Sequence, residues 1–443
     1  MRRVLLISPH FPPDSSAGTH RVRLLAPHLP GHGWEPTVLT VDARDYEGRL
    51  DPELAALVPE GLRVLRCRAL SARWTRCLGI GDLGLRALPA LARTASRLLS
   101  AERFDALVIT IYPTYPALLG PRLRRRFGVP FVLDYQDPWV GAWGETVGGG
   151  PGGIADWKSR ASRALALRLE PWAAGAADAL TAVSAATCAA VLSRHPGLAG
   201  RPCAEIPLGA EPADFERVRQ RPRPNGFFDP DDGRFHLCYV GTLLPLGFET
   251  LRALFAAVAL LRERRPGLYE RLSLRFFGTS NQTAASAPAR ALPVARELGV
   301  ADAVTEVAPR IDYLDAVRVQ TQASALLLLG SSEPHYTASK LFPALLSRRP
   351  LLALYHERST VVNMLRRAAP TALCVSYGDT LRAGDRVESV YETLGTLVEN
   401  PTAGPVPTDP QALAELSADA MAGRLARVLD QVAGRGTDRR AAA

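Results

Sequence analysis

Short unbroken apolar runs recur along this chain, each followed by a stretch with helical spacing. In the first half they are "RRVLLIS", "EPTVLTV", "FDALVITI", "PFVLDY", "DALTAVS" and "AEIPLG"; in the second, "FHLCYVG", "LSLRFFG", "VTEVAP", "SALLLLG" and "PLLALY". A strand without polar alternation has both faces covered, and strands that alternate with helices form a parallel sheet between helical layers. Between the two series lies "ERVRQRPRPNGFFDPDDGR" at 216–234, rich in Pro, Gly and charge, which reads as a linker. The fold class expected is α/β: two doubly wound, Rossmann-like domains facing across a cleft. The expected bounds are 1–215 for the first domain, 216–234 for the linker, 235–410 for the second domain, and 411–443 for a C-terminal amphipathic helix with a disordered tail. A length of 443 residues suits two such cores. Ligands of these sheets bind at the carboxyl ends of the strands.

Composition narrows the class. At 47% hydrophobic and 22% charged residues the chain is globular rather than disordered. Its net charge of +9 comes mostly from arginine and admits nucleic acid, anionic lipid or a phosphorylated small molecule as partner; a GC-rich genome alone also gives an Arg- and Ala-rich chain. The six cysteines show no CxxC spacing, which argues against a zinc site or a disulfide framework and for a reducing cytoplasm. The apolar run of "MRRVLLISPHF" is too short for a leader and reads as a first strand. No run reaches the roughly 18 apolar residues of a membrane span.

Five strand ends carry residues suited to chemistry. "SPHFPPDSSAGTHR" offers Gly18 for close backbone approach, with His20 and Arg21 as donors. "LDYQDPW" puts Asp134, Gln136 and Asp137 at the end of a buried strand. There Asp137 can accept a hydroxyl proton and Trp139 can stack on a ring; the alternatives are a helix cap and a core position. "YVGTLLPLG" supplies Gly241 and Thr242, and "FFGTSNQT" supplies Gly278, in loops of the kind that cradle phosphate. "HYTASKLFPALLSRRPLLAL" at 335–354 begins a helix. With Thr337 or Ser339 as cap, the first-turn amides, Ser339 and Lys340 would converge on an anion such as a diphosphate.

In this order the segments resemble the nucleotide-sugar-dependent glycosyltransferases built from two Rossmann-like domains (the GT-B architecture), and within them the retaining "group 1" type. "ISPHFPPDSSAGTHR" is similar to that family's first glycine loop and "PFVLDYQDPW" to its "vlDlRDpW" segment. "LEPWAAGAADALTAVS", through Glu170, Asp178 and Ser184, resembles "E…aD.i.tvS". "IPLGAEPADF" resembles "iPNGvD…F", and "ASKLFPALLSRRPLLAL" resembles "psKlfEyla.grPvla". Departures are specific. His335 and Pro343 stand where the family carries two glutamates, with Glu333 two residues before His335. Thr242 stands for an arginine, Leu246 lies near an expected lysine, Gln136 replaces an arginine, and Leu208 replaces an asparagine.

The resemblance implies a glycosyltransferase moving a sugar from a nucleoside-diphosphate sugar to a hydroxyl of a glycan, glycolipid or natural product. The first domain would be the acceptor side and the second the nucleotide-sugar side. It implies a donor site at Gly18, Gly241, Thr242, Gly278, Arg310, Ile311, Ser339 and Lys340, with Arg310 and Ile311 near the base. Acceptor contacts would fall to His20, Arg21, Gln136 and Trp139, and catalytic roles to Asp137, His335 and Glu333. No cofactor or metal is expected beyond the donor substrate. The setting implied is bacterial and cytoplasmic, with "RLRRRFG" at 122–128 read either as a solvated helix end or as a peripheral contact with the inner membrane face. Rival readings are a nucleotide-sugar epimerase of the same architecture, a non-catalytic nucleotide-sugar-binding homologue and, last, a nucleic-acid binder, for which no aromatic-and-basic platform is present.

Overall fold

The computed structural model describes residues 1–77, 79–140, 154–280, 282, 286–331, 339–401 and 405–441. They form two compact units: Met1–Leu208 with Ala418–Ala443, and Gly209–Ser417.

The first unit is built on seven strands: β1 (Arg2–Ile7), β2 (Trp34–Val41), β3 (Arg63–Cys67), β4 (Ala106–Ile111), β5 (Phe131–Tyr135), β6 (Ala179–Ala182) and β7 (Cys203–Glu205). They lie in the order β3-β2-β1-β4-β5-β6-β7, and all pairings are parallel. The second unit has six: β8 (Phe235–Val240), β9 (Leu272–Phe277), β10 (Val304–Val307), β11 (Ala325–Leu329), β12 (Leu351–His356) and β13 (Leu373–Tyr377). Their order is β10-β9-β8-β11-β12-β13, again parallel. These are two doubly wound, Rossmann-like sheets. Every residue of β4, β11 and β12 is buried, which is why their sequences show no alternation.

Each sheet has a core on both faces. In the first unit, one face packs Leu5, Ile7, Leu107 and Leu133. The other packs Val4, Leu6, Val38 and Val108 under the C-terminal helix Ala418–Ala441. That helix points Ala418, Met421, Ala422, Leu425, Ala426, Leu429 and Val432 inward, the three-and-four spacing of an amphipathic helix. Asp430 anchors it by accepting from Arg2 Nη1 at 2.7 Å and from Trp34 Nε1 at 3.1 Å.

The division differs from the expected bounds in two ways. The break falls at Leu208/Gly209 rather than at 215, and the C-terminal helix, expected as a separate segment, belongs to the first unit. The stretch 216–234 is not a free linker. Asn225 Oδ1 accepts from the amides of Phe227 (2.9 Å) and Phe228 (3.0 Å), and Phe227 packs edge-on against Phe277 at 5.1 Å. Residues 216–220 end the helix Pro212–Gln220, and the remainder forms the lead-in to β8.

Candidate active site

In each sheet the strand order reverses once, between β1 and β4 and between β8 and β11. Loops leaving the two central strands there diverge and open a crevice at the carboxyl edge. In the second unit, β8 runs directly into Gly241. This residue has φ +128°, a region L side chains rarely enter, and a Cβ there would lie 2.6 Å from Lys340 Cε. Glycine is therefore required both for its backbone and for the lysine crossing over it.

Lys340 sits at the N-cap of helix Leu341–Ser347 without a side-chain cap bond. Its stem spans Gly241, and Nζ donates to Tyr239 Oη and, at 2.6 Å, to Thr242 O. The ammonium lies 4.5 Å from the centre of the Tyr239 ring. Among its described partners there is no carboxylate. Desolvation without a described counter-charge pushes its pKa down to about 7, although the residue as a whole is only partly buried. Among the described residues the amine is placed, desolvated and short of a negative partner.

The adjoining loops are joined edge to edge. Gly241 N donates to Phe277 O at 2.8 Å, Leu243 N to Thr279 O at 2.9 Å, and Gly278 N to Val307 O at 2.8 Å. Gly278 has φ +66°, and a Cβ there would reach within 3.9 Å of Arg310 Cα. The structure thus brings Gly241, Thr242, Gly278, Arg310 and Lys340 to one edge of the second sheet. Ile311 packs against the core instead of facing out. Ser339 is exposed and does not cap the helix, while Glu333, His335 and Thr337 lie outside the described residues. Pro343 sits in the first helical turn, where a missing N–H leaves no bond unmade. Tyr239, the platform under Lys340, was not anticipated; in sequence it is one more aromatic in an apolar strand.

In the first unit, a cavity of about 660 Å³ opens at the carboxyl edge, lined among others by His10, Asp82, Tyr112, Tyr115, Asp137 and Trp139. Asp137 has no described hydrogen-bond partner. Although its surface is open, the concave protein around it partly desolvates the carboxyl and raises its pKa. Trp139 is only 2% exposed and meets Tyr115 edge-on at 6.4 Å, so it is a wall set in the core and not a stacking platform. A larger cavity, about 910 Å³, lies at the amino-terminal strand edge beside Arg2, Arg3 and Arg103. Arg2 and Arg3 there are already paired with Asp430 and Glu102, and this is not the edge at which such sheets bind ligands.

Several expected contacts prove structural. Arg21, read as an acceptor contact, is 0% exposed. It makes a two-pronged pair with Asp134 (2.8 and 2.6 Å) and donates to Ile206 O at 2.6 Å, while Thr181 donates to the same carboxylate at 2.6 Å. Its donors tie the first helix to β5 and to the segment that follows β7. Gly18 has an ordinary helical φ; a Cβ there would lie 2.3 Å from Tyr112 Cδ1, so glycine admits that ring. His20 is partly buried and does not line the cavity, and Gln136 Nε2 is buried without a partner among the described residues. Glu170 holds Arg194 and His195, Asp178 accepts from Phe131 N, and Ser184 caps helix Ala185–Arg194. Among the described residues no three His, Cys, Asp or Glu side chains converge as a metal site, and no helix is long and apolar enough to cross a membrane.

Residues 17–209 match the family model described as "Glycosyl transferase 4-like domain". No curated protein matches the chain. Among solved structures, HepE of Anabaena with UDP and glucose superposes with a TM-score of 0.56 at 13% identity, over 97% of this chain and 100% of that one. An α,α-trehalose-phosphate synthase (UDP-forming) from Burkholderia vietnamiensis gives 0.59 at 12% identity, over 98% and 100%. A glycosyltransferase from Rickettsia africae gives 0.51 at 12% identity, over 99% and 97%. At these identities the likeness is one of fold. Residues 17–209 thus carry a glycosyl transferase 4-like domain, and the whole chain shares the two-Rossmann fold of these structures.

Proposed function

We propose that the protein transfers a glycosyl group from a nucleoside-diphosphate sugar, held mainly by the second unit, to a hydroxyl acceptor received by the first. The observation that carries this reading is Lys340: a desolvated ammonium at the carboxyl edge of a doubly wound sheet, with no acid among its described partners. A diphosphate supplies the missing charge. As the bond from sugar to diphosphate breaks, negative charge grows on the leaving group, and a fixed ammonium stabilises that change most. Gly241, Thr242, Gly278 and Arg310 surround the same edge. Glu333 and His335 are assigned to the sugar end of the donor on sequence grounds, and Asp137 to the acceptor side.

Resemblance to the group 1 enzymes supports retention of anomeric configuration and action without a resident metal or cofactor. It equally supports a bacterial, cytoplasmic setting in polysaccharide or glycolipid synthesis, with a peripheral contact at the inner membrane face. The acceptor is a glycan, lipid-linked or small molecule. HepE, solved with UDP and glucose, and the UDP-forming synthase make UDP-sugars the first donors to test. The experiment is release of nucleoside diphosphate from UDP-, GDP-, dTDP-, CDP- and ADP-sugars. Turnover that falls about 100- to 1,000-fold in Lys340→Ala supports the reading. Donor binding without any release assigns the chain to the non-catalytic homologues.

A further inference from the structure

Among the described residues every left-handed backbone position is a glycine except Arg348, at φ +56°. The family segment "psKlfEyla.grPvla" has glycine at this place. The conformation is fixed from both sides: Arg348 N donates to Leu345 O at 3.2 Å, and Arg348 O accepts from Val406 N at 2.8 Å. In the left-handed region a Cβ crowds the backbone, a strain that glycine does not feel. The turn itself calls for glycine, so the arginine answers a need other than folding.

Two further arginines converge on it. Helices Pro212–Gln220, Tyr313–Gln322 and Leu341–Ser347 pack against one another in the second unit. From the first, Arg219 Nη2 donates to Leu346 O, in the last turn of the third. Arg349 is partly buried, and its Nε donates to Thr321 O, near the end of the second, at 2.7 Å. Each of these bonds uses one of the five N–H groups of a guanidinium. Burial and the neighbouring Arg348 charge push Arg219 below its ordinary pKa, although Glu216 opposes them; burial and Arg219 do the same to Arg349. Acids do little to relieve the crowding. Among the described residues one carboxylate pairs with the three: Glu216, 3.6 Å from Arg219 Nη1 and 56% exposed. On the same two helices Asp315 is taken by Arg318 at 2.6 Å, and Asp214 accepts from Tyr313 Oη at 2.8 Å.

Three held cations beside one exposed acid make a place for an anion with several oxygens. A phosphate group fits the planar fork of arginine, which meets two of its oxygens at once. We propose that Arg219, Arg348 and Arg349 form a second anion site on the second unit, apart from the donor site, for a multiply charged phosphate group, free in solution or on a lipid headgroup. The two sites lie at opposite ends of helix Leu341–Ser347: Lys340 precedes it and Arg348 follows it, about 12 Å apart at 1.5 Å per residue. Binding there makes and breaks no covalent bond. It stands whether or not Lys340 holds a sugar nucleotide.

Titration calorimetry with inorganic pyrophosphate tests this on the full chain carrying Lys340→Met, which removes the ammonium at the donor edge. It should show one saturable site. Arg219→Gln and Arg349→Gln, each added to that chain, should weaken the site about 10- to 150-fold. Arg348→Gly should weaken it by as much, yet raise the melting temperature of the ligand-free protein by roughly 2–4 °C, because glycine relaxes the backbone. Co-sedimentation with phosphatidylcholine vesicles, with and without phosphatidic acid, reads the lipid source. Pyrophosphate binding alone assigns a free phosphate. Binding to the phosphatidic acid vesicles that the three substitutions abolish assigns a headgroup. Neither kind of binding, or binding that Arg348→Gly leaves unchanged, overturns the proposal. So does a lower melting temperature in Arg348→Gly, which gives the arginine a place in the fold instead.

Discussion

Lys340 should make donor binding consume a proton. With its pKa near 7 in the free protein, only about one molecule in ten carries the charged amine at pH 8. A diphosphate beside Nζ restores the charged form, so binding takes up about 0.9 proton at pH 8 and about 0.5 at pH 7. The sign follows: a base whose pKa rises on binding loses affinity for its ligand as pH rises above its free value. The fall approaches tenfold per pH unit. The coupling available is bounded by the distance from about 7 back to the ordinary value of 10.5, about 5 kcal/mol at one and a third kcal/mol per pH unit. Folding shows the opposite face of the same linkage. The unfolded lysine keeps its proton to higher pH, so the ligand-free protein should gain stability as pH rises from about 7 toward 10.5. Calorimetric titration with UDP-glucose in buffers of different ionisation enthalpy reads the uptake directly, since a sugar nucleotide has no ionisation of its own diphosphate in this range. Lys340→Met should abolish the uptake and weaken binding by about 1.5–3 kcal/mol, the worth of a hydrogen bond to a charged group. Zero uptake at pH 8 together with equal affinity at pH 7 and 9 refutes the placement of the amine at the diphosphate.

Arg21→Met strands the buried Asp134 carboxylate and should cost about 3–5 kcal/mol in denaturant unfolding; a change under 1 kcal/mol, or a loss confined to activity, would show that Arg21 works on substrate after all. Gly18→Ala drives a methyl to 2.3 Å from Tyr112 and should destabilise by about 1–3 kcal/mol, with Tyr112→Leu restoring most of it. A chain ending at Ser417 loses Met421, Leu425, Leu429 and Val432 from the core, roughly 1.5–3 kcal/mol each. That rivals the whole stability of a domain, so it should bind hydrophobic dye and aggregate; a soluble, cooperatively melting product contradicts the packing described.

The sheets were legible wherever strands are buried on both faces. "DALVITI" and "SALLLLG" cannot be anything but inner strands, and they became β4 and β11. Two of the four edge strands were missed for the converse reason: Arg63–Cys67 and Leu373–Tyr377 are half exposed, and their mixed polarity hides them. Lys340 was readable because a lone lysine beside a helix start is a local signal. Its Tyr239 and Thr242 partners, about a hundred residues away, were not. Arg21 was misread for the same cause, since Asp134 lies 113 positions distant and no local pattern announces a buried pair. The Pro- and Gly-rich stretch at 216–234 misled because such composition marks any tight irregular backbone, including one pinned down by Asn225.

The helix Ala418–Ala441 is synthesised after the whole of the second unit, yet it covers one face of the first sheet to be made. Val4, Leu6, Val38 and Val108 therefore wait uncovered while all of Gly209–Ser417 is synthesised, roughly 10–40 s at about 5–20 residues per second. For that interval the nascent chain carries a half-cored domain with an open apolar face. The second unit, by contrast, has every residue it needs before that helix is made. Translation that stalls late thus leaves the later-made domain folded and the first one unfinished, an order of completion opposite to the order of synthesis.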